Sequence, residues 1–181
     1  DGRTGIHGGL GYVFGDEGSA FWIAKAALAR AASQHEDCTV GEAAKEYFGK
    51  ESIREILAAF YHGTLDRTRF ASFAKQVIGI FNRQSDDDLD ACAFDTVVDA
   101  QSHLASLACW AMFDPWHWTA GGRASFVGGL MEDARFKESV YTAARAQTPE
   151  IEIVEPAHPP ALGAVILALR DAGLRVTRLT P

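Results

Sequence analysis

The run Gly8-Gly9-Leu10-Gly11-Tyr12-Val13-Phe14-Gly15-Asp16-Glu17-Gly18-Ser19-Ala20 constrains this chain most. Five glycines fall within eleven residues, and an apolar helical pattern follows at once. Such glycine density opens positive φ to the backbone and lets it approach a ligand closely. Asp16 and Glu17 stand where the helix should begin, which suits the positive end of a helix dipole, and Asp16 and Ser19 are both N-cap types. A glycine turn that ends in a carboxylate at a helix start makes a sensible polyol site. Backbone amides donate to sugar hydroxyls, and the carboxylate accepts from two neighbouring ones. Two other readings use the same residues. One is a turn that only shapes the chain. The other is half of a dinucleotide fingerprint with Glu36 or Asp37 as its distal acid, which needs an apolar strand that Asp1–Gly8 does not supply.

A chain of 181 residues with 48% hydrophobic content can bury a real core, and one domain is the default. The formal charge of −7 and pI near 5.3 argue against nucleic acid or an anionic membrane as the main partner. The longest apolar runs, 104–113 and 161–169, are too short to span a bilayer. Cys38, Cys92 and Cys109 show no CxxC spacing, so a reduced, cytoplasmic protein is expected. Asp1-Gly2-Arg3-Thr4-Gly5 reads as a hairpin turn lacking its first strand, which suggests a piece of a longer protein.

Helical spacing predicts a helix over Ser19–Ser33 and capping boxes at Thr39–Glu42 and Ser52–Glu55. It further predicts a helix over Arg67–Asn82 and a long, buried central one from the acid run 86–90 to about Met112. From Arg123 the period changes. A strand to Leu130 with a Gly128-Gly129 turn, a helix over Glu132–Ala146 and a strand at Ile151–Val154 are expected. A helix from Pro160 to Ala172, stopped by Gly173, and an extended tail over Leu174–Leu179 follow. This order predicts an α/β fold with a parallel edge, decorated by an inserted helical block at about 39–84.

The run from Gly8 to Ile23 resembles the signature of the BadF/BadG/BcrA/BcrD-type ATPases, N-acetylglucosamine kinases in particular. Arg69–Phe73, Phe126–Leu130 and Pro160–Ala168 resemble the same family in the same order, so the likeness spans nearly the whole chain. It implies the actin-like, ribonuclease-H-type ATPase fold, with this chain as the carboxy-terminal lobe. It implies ATP and Mg2+ as cofactors, bound with the sugar in the cleft between two lobes. Gly9, Leu10 and Gly11 would then line the sugar, and Asp16 would accept from its hydroxyls. Ala71, Gly128, Gly129 and Asp133 would border the nucleotide. Leu10 stands where the family commonly carries Trp, and Gly129 where it often carries Ser.

The family's phosphate loops and general-base aspartate should precede residue 1, so no catalytic residue is expected in this chain, nor any activity from it alone. The main expectation is therefore one lobe of an ATP-dependent hexosamine kinase acting on the 6-hydroxyl of N-acetylglucosamine. Its expected partners are an amino sugar and the amino-terminal lobe, with a homodimer left open. An apolar face is expected where that lobe packs. Two rivals stand beside it. An ATPase activator of CoA-ester reductases or dehydratases would hold an iron–sulfur cluster through cysteines, which these helical and acidic contexts do not favour. A sugar-binding module without catalysis would keep only the groove.

Without the resemblance, Ala71 reads as a core residue and Asp133 as a helix cap. His103 reads as a core histidine, His117 as a loop residue, and the acid run 86–90 as a solvated helix start. Trp22, Phe60, Phe70, Phe73, Phe81 and Trp110 fit core faces.

Overall fold

A short helix, α1 (Gly11–Phe14), leads into a long alanine-rich one, α2 (Ala20–Gln34), around which the molecule packs. The computed structural model describes residues 7–34, 36–83, 89–112 and 122–174. The opening turn at 1–5, His117 and Asp86–Asp88 lie outside the described residues, as does the tail beyond Leu174. Ile23, Ala24, Ala27, Leu28 and Ala31 of α2 are fully buried. Their small side chains let several helices approach one axis. These are α3 (Thr39–Phe48), α4 (Ile53–Tyr61), α5 (Arg67–Ser72), α6 (Ala74–Arg83) and α7 (Ala91–Met112). The block 39–84 therefore shares a single apolar core with α2 and α7.

Local chemistry sets the helix starts. Ser52 Oγ accepts from Glu55 N at 3.2 Å and Asp66 Oδ1 from Arg69 N at 2.9 Å, while Asp90 Oδ1 receives Ala93 N at 2.9 Å. At α3 the cap is Cys38, one residue earlier than the expected Thr39, with its sulfur 3.4 Å from Gly41 N. The helix expected over Arg67–Asn82 divides at Phe73, whose N–H donates to the Phe70 carbonyl three residues back at 3.2 Å. That tighter turn drives the Phe73 ring into full burial against Tyr47 and Phe48, at centroid distances of 5.6 and 5.4 Å.

Strand β1 (Arg123–Ala124) pairs in parallel with β2 (Glu152–Ile153), in register Arg123 to Glu152 and Ala124 to Ile153. Between them run a 3-10 turn at Gly129–Glu132 and α8 (Ala134–Gln147), which packs along α7. The fold is thus mostly helical with a small parallel βαβ edge, a mixed α/β class. The strand expected to reach Leu130 stops at Ala124, and Gly128, at φ +123°, turns the chain into the 3-10 segment. Last among the described elements is α9 (Pro160–Asp171), with Pro at its first position and Gly173 at φ +77° after its end. No residue of α9 is buried.

One face of α7, from Cys92 to Ala105, is buried as expected of a central helix. Its far end is not. Trp110 is 67% exposed, which corrects its placement among the core aromatics. No described helix is long and apolar enough to cross a membrane.

Candidate functional site

The glycine-rich segment is shaped by its own backbone. Gly15 N donates to the Gly11 carbonyl at 2.8 Å and closes α1. Tyr12 anchors that turn, with its ring 4.9 Å from Phe21 and the Arg67 guanidinium 5.0 Å above it. Gly18 then fixes the approach to α7. It sits at φ +80°, and a Cβ there would stand 2.7 Å from Leu104 Cγ and 2.8 Å from the Ala100 carbonyl oxygen. Only glycine lets the loop lie that close.

Ser19, not Asp16, caps α2. Its Oγ accepts from Trp22 N at 3.2 Å, and its carbonyl accepts from Ile23 N at 2.9 Å. Asp16 contributes its backbone carbonyl to Ser19 N at 3.0 Å, but its carboxylate makes no hydrogen bond or ion pair among the described residues. Asp16 is also the one non-glycine described residue with positive φ, at +59°. The left-handed region costs a non-glycine residue about 1 kcal/mol, and such strain clusters at binding sites.

Beside this loop opens a cavity of about 1020 Å³. The loop contributes Gly9, Leu10 and Asp16 to its wall. Ala71 enters from α5, and Gly128 and Gly129 from the turn after β1. Residues expected for the sugar and residues expected for the nucleotide, from distant parts of the chain, thus line one space. Two expected residues do not line it. Gly11 lies in α1 with its carbonyl engaged by Gly15, and Asp133 caps α8. Asp133 Oδ1 accepts from Phe136 N and Oδ2 from Asn82 Nδ2, both at 2.8 Å. Its carboxylate is occupied by structure.

The third wall is α7, through Leu104, Leu107 and Trp110, and this apolar side explains the exposure of Trp110. His103 borders the cavity too. It is exposed, edge-on to Trp22 at 5.1 Å, and so is not the core histidine expected. Lys75 is a second polar wall residue that the sequence did not single out. Spacing held the signal for His103. It falls four and seven residues before Leu107 and Trp110 on one face of α7, and Lys75 falls four after Ala71, across the turn at Phe73 that separates α5 from α6.

Lys75 offers one positive charge, and the backbone at Gly128 and Gly129 is bare, with nothing within 4 Å of where either Cβ would stand. Among the described residues, the carboxylates in the cavity wall are those of the sequence neighbours Asp16 and Glu17, which by themselves do not make a Mg2+ site. Elsewhere, Cys38, Asp90 and Cys92 bring three ligand-type atoms within 4.8 Å of one another. Two of the three donors are sulfur, which suits a soft ion rather than a hard one. Burial pushes the Cys92 thiol up from its ordinary 9.0 to about 12.

A comparison of the sequence with models of protein families finds no match.

Proposed function

We propose that this chain is the carboxy-terminal lobe of an ATP-dependent hexosamine kinase of actin-like, ribonuclease-H-type architecture. The acceptor in this proposal is the 6-hydroxyl of N-acetylglucosamine. The observation that carries it is the single cavity lined both by Gly9, Leu10 and Asp16 and by Ala71, Gly128 and Gly129. A carboxylate on a strained backbone, with no hydrogen-bond or ion-pair partner among the described residues, is what a hydroxyl-rich ligand would satisfy.

In this proposal Asp16 accepts from two adjacent sugar hydroxyls, and the bare backbone at Gly9 follows the ring edge. Leu104, Leu107 and Trp110 take the sugar's C–H face and exclude water that would otherwise receive the phosphoryl group. ATP lies toward Gly128 and Gly129, with Lys75 offering charge to its phosphates. The remaining phosphate contacts, Mg2+ coordination and the general base are assigned to an amino-terminal lobe, because the described residues of this wall are given no such role.

A coupled ADP-release assay with a panel of hexoses checks the proposal. A protein joining this chain to such a lobe turns over ATP only with an amino sugar, and the 181-residue chain alone gives no sugar-dependent ADP. Sugar-independent hydrolysis would replace the proposal with an ATPase activator. Sugar binding without turnover in the two-lobed protein would leave a non-catalytic binding module.

A further inference from the structure

Away from the cavity, one carboxylate ties two helix starts together. Asp90 Oδ1 accepts from Ala93 N in the first turn of α7, at 2.9 Å. Its Oδ2 accepts from Val40 N in the first turn of α3, at 3.1 Å. This bridge brings together the two cysteines beside it, Cys38 as the cap of α3 and Cys92 as the second residue of α7. Their sulfurs lie 3.6 Å apart although 54 residues separate them in sequence. Both are free thiols, one half-buried and one buried. We propose that Cys38 and Cys92 form a reversible dithiol–disulfide site, oxidised by low-molecular-weight disulfides of the glutathione class and reduced by the corresponding thiols.

The difference in burial fixes the order of events. Cys38 is the sulfur an external disulfide can reach, and Gly41 N donates to it at 3.4 Å from the start of α3. The Cys38 thiolate attacks one sulfur of glutathione disulfide, a Cys38–glutathione bond forms, and one glutathione thiolate leaves. Cys92 then gives up its proton, and its thiolate attacks the Cys38 sulfur and expels the second glutathione thiolate. The two protein thiols lose two electrons and two protons, and one glutathione disulfide becomes two thiols. Cys92 is buried beside Cys38, out of reach of an external disulfide, so it resolves the mixed disulfide rather than starting the exchange.

A soft metal ion is the rival occupant. It would need both thiolates and a third donor, whereas both oxygens of the Asp90 carboxylate are engaged in holding α3 and α7. The cross-link would clamp the start of the helical block to α7, whose later residues wall the cavity.

The test is incubation of the reduced 181-residue chain with glutathione disulfide, followed by thiol titration, intact mass and peptide mapping. Two of the three thiols should disappear with loss of two hydrogens and no retained glutathione, leaving Cys109 free. The melting midpoint should rise by roughly 5–10 °C, the scale expected for a cross-link that closes a long loop in a chain this size. Cys109→Ser should behave as the parent, while Cys92→Ser should stop at the mixed disulfide on Cys38. Three results overturn the proposal: unreacted thiols, a stable mixed disulfide on the parent chain, or a stoichiometric zinc ion whose removal by a chelator is needed before the thiols react.

Discussion

Helices α2 and α9 are both rich in alanine and other apolar residues, yet they have opposite fates. In α2 one face is fully buried, from Ile23 through Ala31. In α9 nothing is buried, and Val165 and Leu167 stay 51% and 54% exposed. The same contrast recurs within the first described residues, where Leu10 and Phe14 are 71% and 81% exposed just before the packed start of α2. Apolar composition makes a helix able to be buried, and the number of surfaces arranged around it decides whether it is. Helices α3 to α7 surround α2, and none of them packs along α9 with comparable closeness.

Substitutions at the packed pole should break it hardest. Phe73→Ala removes a fully buried ring from the turn between α5 and α6 and should cost about 4 kcal/mol, read as a lower urea midpoint at unchanged slope. Gly18→Ala should cost about 3 kcal/mol, since its methyl meets the Ala100 carbonyl at a positive φ that alanine resists. Loss of less than about 1 kcal/mol would mean that the loop does not rest on α7 as described.

High pH should weaken the packed pole progressively. The folded chain holds the Cys92 proton to about 12, whereas the unfolded chain releases it near 9.0. This contribution to stability is complete below pH 9.0 and falls away as the pH rises toward 12. Denaturation midpoints of the parent and of Cys92→Ala, measured side by side, should converge across that window. At the open pole, Leu167→Ser on α9 should change stability by no more than about 0.5 kcal/mol. A larger loss there would erase the contrast between the two helices.

The sequence made some of this plain and left the rest out of reach. Ser52 and Asp133 were readable as caps because capping is decided within four residues, and both side chains accept the expected N–H. The start and stop of α9 were readable from Pro160 and Gly173 for the same reason. The turn at Phe73 was not, because no glycine or proline marks it and aromatic neighbours from α3 impose it. The exposure of Trp110 depends on a cavity that no local pattern encodes. Six of the wall residues, Gly9, Leu10 and Asp16 with Ala71, Gly128 and Gly129, had been singled out from motifs. His103 was misread as a core histidine because it was weighed singly rather than by the α7 face it shares with Leu107 and Trp110, and Lys75 was not singled out at all. The meeting of Cys38 and Cys92 rests on Asp90 bridging two helices, a tertiary fact with no trace in their spacing.

The most direct test of the sugar wall is calorimetric titration of the chain with N-acetylglucosamine, alongside Asp16→Asn. The parent chain should bind saturably. The variant should bind at least about tenfold more weakly, a loss of one charge-assisted hydrogen bond or more, with an unchanged melting midpoint because the Asp16 carboxylate holds no hydrogen bond or ion pair among the described residues. Equal binding by both chains, or none by the parent, would contradict the assignment and leave the glycine run and Asp16 as a turn that seats α2 against α7.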